Sequence, residues 1–321
     1  MTQLSLESPA IRPETLSRRL YRRLIAPVLA SRAAWFFAGV WVLSALALAA
    51  TGNAAQLPIR AVFFAGLLLF CALTVLITAP DPTTSAAVPA ERPRLWLQLA
   101  ITLAVILITG YTALAFHQLI PRSAAQIPLW SALMRSAAAF GERWLPVELV
   151  GSPANAITNP LAYFVLPLAA LLLAGARPAQ LGLAPGQRSG RAILLWASIP
   201  LGMWLVALLT GQLTLGRLGR RMLSNALQNG FFEEFLFRGA LQTRLRALWR
   251  ADWALVLQAL VFGLWHLGAD TRLMGGDFAA GLAMTILIQA SMGIAFGLLL
   301  QRTRSLLAPS AVHIVINSLS L

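Results

Sequence analysis

Apolar runs of about 17 to 23 residues recur along the chain, each long enough to cross the hydrocarbon core of a bilayer as one helix. Their repetition predicts an all-α, polytopic transmembrane helical bundle of about nine spans, eight being possible. Composition agrees: of 321 residues 58% are apolar and 11% charged, and the mean hydropathy is +0.73. The first run follows about thirty polar and basic residues and is too long for the core of a cleavable signal, so it reads as a retained span.

The charges that remain are informative by type and place. All 25 basic residues are arginine, against 11 acids, which gives a formal charge of +14. Such a surplus can signal nucleic-acid binding, but here the arginines stand at the ends of apolar runs, where they anchor helices and set topology. The implied partner is the lipid bilayer, and no nucleic acid is expected. With the N-terminus cytoplasmic, 16 arginines fall on cytoplasmic segments and 8 on the opposite side, with Arg238 inside a span. The bias favours that orientation, although Arg217, Arg220 and Arg221 stand against it locally. The absence of lysine beside abundant Ala, Leu, Gly and Pro points to a GC-rich genome, and so to an integral, multi-pass protein of a bacterial cytoplasmic membrane. Cys71, the sole cysteine, lies in an apolar run and reads as a packing residue.

Four segments follow from the pattern. Residues 1–32 are basic, with Arg18, Arg19, Arg22 and Arg23 interleaved at helical spacing with Leu16, Leu20, Leu24 and Ile25, either as a short helix on an anionic membrane surface or as a frayed tail. Residues 33–120 hold three spans, near 33–51, 60–79 and 95–116; Pro80, Pro82 and Pro89 mark a linker, and His117 closes the third span at the interface. Residues 121–158 form a connection in which Trp130, Leu133, Met134, Ala137, Phe140 and Trp144 share a face, as in an amphipathic interfacial helix. Residues 159–321 hold spans near 160–176, 192–210, 222–242, 253–268, 278–300 and 305–321, with a basic link carrying Arg217, Arg220 and Arg221 before the third of them.

Chemistry concentrates in this last segment, where a charge at bilayer depth costs roughly 2.5 to 3.5 kcal/mol, so that function is its default explanation. Glu234 and Arg238 are four residues apart on one helix face and can pair. Glu233 is rotated by about 100° from Glu234, which leaves it the freer carboxylate. Phe262 and His266 are again four apart, as are His313 and Asn317. Together these groups offer a carboxylate to take a proton from water, an imidazole to position that water, and His/Asn donors for an oxyanion, a set suited to acyl hydrolysis. Glu233, His266 and His313 could instead form a two-His, one-carboxylate zinc site. Without a His-Glu-x-x-His helix, metal-free chemistry with no cofactor is the favoured reading. A proton-coupled transporter using Glu233 and Glu234 as a relay is a rival from another class. Ser291, Gly293, Ala295 and Gly297 form a small-residue stripe that reads as close helix packing.

The ordered set Glu233-Glu234-x-x-x-Arg238, Phe262-x-x-x-His266 and His313-x-x-x-Asn317, on successive expected spans, resembles the signature of the CPBP intramembrane proteases. That family includes type II CAAX prenyl endopeptidases, bacteriocin-processing and self-immunity proteins, and abortive-infection-like proteins. Leu181-Gly182-Leu183 before a span also fits, and the likeness covers about residues 155–321. It implies a CPBP-like catalytic membrane core acting as a glutamic endopeptidase: Glu233 and His266 would activate water, His313 and Asn317 would hold the oxyanion, and Glu234, Arg238 and Phe262 would support them. The implied partner is a membrane-anchored or lipidated peptide or protein. The family has also been described as metalloproteases, so zinc stays open, and a non-catalytic immunity or scaffold protein of the same fold is the alternative. In the eukaryotic endopeptidase the site opens to the cytosol, whereas the arginine count puts His266 near the opposite face.

Overall fold

Each long apolar run is helical in the computed structural model, which describes residues 15–78 and 91–319; among these there is no strand. The linker prolines Pro80, Pro82 and Pro89 lie outside the described residues, as does Arg12. In chain order the helices are α1 (16–29), α2 (Arg32–Leu48), α3 (Leu57–Ile77), α4 (Arg92–Phe116), α5 (Pro128–Trp144), α6 (Pro153–Leu173), α7 (Ser189–Leu209), α8 (215–248), α9 (Ala251–Trp265), α10 (Leu267–Leu273), α11 (Phe278–Thr303) and α12 (Leu307–Asn317). The interleaved arginines and leucines of the N-terminal segment therefore lie on α1, and the amphipathic pattern of the 121–158 connection on α5.

By length and apolarity five helical stretches can cross a membrane, or six when the bent pair α9–α10 counts as one span. Residues 32–77 enter that count as one stretch, yet the chain reverses within it. Gly52 adopts φ +80°, a left-handed conformation that costs glycine little. Phe64 then stacks on Trp41 at 4.9 Å and lies 6.4 Å from Phe37, so α2 and α3 run antiparallel. α8, which carries Glu233, Glu234 and Arg238, and the 11-residue α12 stand outside the count. Large apolar side chains point outward along the spans: Leu43, Leu107 and Leu194 are each at least 67% exposed in the isolated chain. Moving such a side chain from water to lipid is worth about 1.5–3 kcal/mol, so this surface belongs in a bilayer.

α8 corrects one sequence expectation. It runs without a break, so the basic segment is no link: Arg217, Arg220 and Arg221 ride on its first turns. Thr214 caps it, its hydroxyl accepting the Arg217 amide at 3.2 Å. At the far end buried Arg244 donates to the Gln98 side chain at 2.9 Å and the Gln180 carbonyl at 3.0 Å, which ties α8 to α4 and to the loop before α7.

α11 is the element against which both halves of the chain pack. Ala280, Ala283, Met284 and Leu287 meet Leu48 of α2, and Met292, Ala295 and Leu299 meet Leu67 and Cys71 of α3. Toward α9 the small-residue stripe permits close approach: a Cβ added at Gly293 would lie 2.7 Å from the Ala259 Cα. The first three spans and the segment bearing the motifs thus share their cores.

Candidate active site

Three helices, α8, α9 and α12, bring the motif residues together. α8 and α12 approach so closely at Gly230 that any Cβ there would collide with the Ile314 side chain. One turn later come Glu233 and Glu234, between π-helical stretches at Ala226–Gly230 and Phe235–Gln242; such widened turns recur at functional sites.

Glu234 is the anchored carboxylate. Its Oε1 accepts from His313 Nδ1 at 2.8 Å and lies 3.1 Å from Arg238 Nη1, with both Glu234 and Arg238 fully buried. The Arg238 contact is held by charge rather than alignment, since no guanidinium nitrogen makes a well-directed hydrogen bond. The guanidinium lies over Phe262 at 4.1 Å and Phe296 at 5.2 Å, ring faces that favour a cation. Phe296 also stacks on His313, 4.9 Å between ring centroids and 22° from parallel.

Glu233 is buried but held less tightly. Its Oε2 lies 3.7 Å from His266 Nε2 and 3.9 Å from His313 Nε2, beyond direct hydrogen-bond range, and has no other partner among the described residues. Each imidazole is oriented from its far side. His266 Nδ1 donates to the Phe262 carbonyl at 2.9 Å, four residues back on α9, and His313 Nδ1 donates to Glu234. Both Nε2 atoms are therefore turned toward the same carboxylate oxygen. His266 stands in the break between α9 and α10, where the axis bends by 52°. Asn317 ends α12 one turn beyond His313, and it is exposed.

Some neighbours carried no signal in the sequence. Tyr163 of α6 is half-buried within electrostatic reach of Glu233 and packs edge-on against Trp265 at 5.3 Å. Nothing about one tyrosine in an apolar run marks it, and Phe296 is equally anonymous. His117 lines a cavity of about 590 Å³ with Arg272, Gln118 and Thr271, between the end of α4 and α10. Burial, and then the neighbouring Arg272 and His266, hold its pKa below the usual histidine value.

The donor set for zinc can be tested on these distances. A tetrahedral zinc with bonds of about 2.0–2.1 Å would hold donor atoms roughly 3.4 Å apart. The 3.7 and 3.9 Å separations are wider, and among the described residues no group of three or more His, Cys, Asp and Glu is arranged to hold a metal ion.

Fold and site together define a helical integral membrane protein with a buried Glu/Arg/His centre built from three converging helices. Residues 217–319 match the family model described as type II CAAX prenyl endopeptidase Rce1-like. The match starts on α8 and takes in every motif residue from Glu233 to Asn317, while α6 and α7, which carry none of them, lie outside it. Comparison with curated proteins and with solved structures gives no significant match.

Proposed function

We propose that this protein is an intramembrane endopeptidase that hydrolyses a peptide bond of a membrane-anchored or lipidated protein or peptide, using water activated by Glu233. The observation that carries the reading is the gap between Glu233 Oε2 and the two imidazole Nε2 atoms at 3.7 and 3.9 Å. A water about 2.8 Å from each would fit that gap. As Glu233 takes one of its protons, the oxygen attacks the carbonyl carbon and the carbonyl oxygen becomes an oxyanion; the proton then passes through Glu233 or His266 to the departing amine. His313 uses Nδ1–H on Glu234, so it can donate from Nε2 only as an imidazolium. In that form it would hold the oxyanion, with Asn317 contributing from the exposed end of α12. In a bacterial cytoplasmic membrane the matching substrates are short membrane peptides as well as lipidated proteins.

The test is cleavage of such peptides by the purified protein in lipid, with Glu233→Ala beside it. Cleavage lost in Glu233→Ala, with the fold intact, is expected; full activity in that variant refutes the assignment. Activity that persists after exhaustive chelation supports the metal-free route, and activity lost on chelation and restored by zinc overturns it. A cellular phenotype that survives Glu233→Ala and His266→Ala together would mark an immunity or scaffold protein instead.

A further inference from the structure

Asp270 is a buried carboxylate that none of the motifs includes. It is 4% exposed and sits on the short helix α10, four residues after His266. Its backbone amide donates to the His266 carbonyl at 3.1 Å, closing the first turn beyond the bend. Its Oδ2 accepts the Thr285 hydroxyl of α11 at 3.0 Å, and the Gln289 side chain lies close enough to act on the carboxylate. His266 and, from α3, Arg60 lie within electrostatic reach.

Thr285 grips both flanks of His266. On the near side α9 passes so close to α11 that a Cβ added at Gly263 would lie 3.1 Å from the Thr285 carbonyl oxygen. On the far side the Thr285 hydroxyl holds Asp270. The histidine between them stands at the 52° bend, its amide bonded to the Gly263 carbonyl and its carbonyl to the Asp270 amide, so its ring direction follows the setting of α10 against α9.

We propose that Asp270 is a positioning residue for His266: by anchoring α10 to Thr285 it fixes the bend from which the His266 imidazole is aimed at Glu233. The first two spans then have a part in the site, because α2 and α3 pack against α11, with Arg60 of α3 within electrostatic reach of the Asp270 carboxylate. What His266 does once positioned rests on the hydrolytic reading above.

The experiment uses the full chain in lipid nanodiscs with isotope-labelled histidine; there are three histidines, assigned by single His→Gln variants. Asp270→Ala and Thr285→Val should each move the His266 ring resonances in the same direction, with the double variant no further displaced than Asp270→Ala, and the His313 resonances should stay in place. Asp270→Asn, whose amide oxygen can still accept the Thr285 hydroxyl, should restore the wild-type position. With a cleavable peptide, kcat should fall about tenfold to a hundredfold in Asp270→Ala, with KM unchanged. Should Asp270→Ala fail to fold, Thr285→Val carries the test. His266 resonances unmoved in these variants overturn the proposal, as does an Asp270→Asn protein displaced as far as Asp270→Ala, because charge rather than the anchor would then set the ring. If the resonances move as expected while even the wild type cleaves nothing, the positioning role stands and the hydrolytic reading falls.

Discussion

Two adjacent glutamates that differ only in their partners should respond oppositely to the same substitution. In Glu234→Gln the amide oxygen can still accept from His313 Nδ1, now 2.8 Å from Glu234 Oε1, but the charge that faces Arg238 at 3.1 Å is gone. Arg238 is fully buried and cannot reach water, and removing one member of a buried pair costs about 3–5 kcal/mol. Its contacts with Phe262 and Phe296 survive the substitution, so the lower end applies: a loss of about 3 kcal/mol, or roughly a hundredfold in the folding equilibrium. Glu233→Gln removes a buried charge with no hydrogen-bond partner at Oε2 and, among the described residues, no arginine within ion-pair distance. Its stability should change by less than about 1 kcal/mol, while cleavage disappears. Equilibrium unfolding of the two proteins in mixed micelles, followed by tryptophan fluorescence, measures the difference. The double variant Glu234→Gln/Arg238→Met should regain most of what Glu234→Gln loses, since a buried pair replaced on both sides is often neutral. Equal losses in Glu233→Gln and Glu234→Gln would refute this division of roles.

Gly230→Ala places a methyl group against Ile314 where α8 and α12 touch, and should cost about 1–3 kcal/mol in the same unfolding assay. Adding Ile314→Ala should recover part of that loss, and a Gly230→Ala protein as stable as wild type would show that the close approach is not required. His117 gives a pH dependence of definite sign. Its pKa in the fold lies below the ordinary value, so on acidification through about pH 6.5 the unfolded chain takes up a proton that the fold refuses, and stability falls. His117→Gln should lose less stability than wild type between about pH 7.5 and pH 5, and identical losses would show that the burial of His117 and its proximity to Arg272 do not matter.

Helical spacing made the pairing of Glu234 with Arg238 legible, because both partners lie on one turn of one helix. It could not show that His313, 79 residues further on, closes the other side of Glu234, or that Phe296 lies between His313 and Arg238, because contacts between helices leave no period in the sequence. Arg217, Arg220 and Arg221 read as a link because charge clusters usually interrupt apolar runs; on an amphipathic helix they instead prolong α8 at its N-terminal end. The contacts so hidden also explain how lipid tolerates the site. Glu233, Glu234 and Arg238 sum to one negative charge, and one proton shared among Glu233, His266 and His313 makes the cluster neutral. An uncompensated charge costs most in a low-dielectric interior, and Glu234 and Arg238 already face each other there. The shared proton is also the one that peptide hydrolysis must move, from water to Glu233 and on to the amine. Burial and chemistry therefore ask for the same arrangement, with Glu234 and Arg238 fixed as a pair so that the mobile proton is left to Glu233 and the two imidazoles.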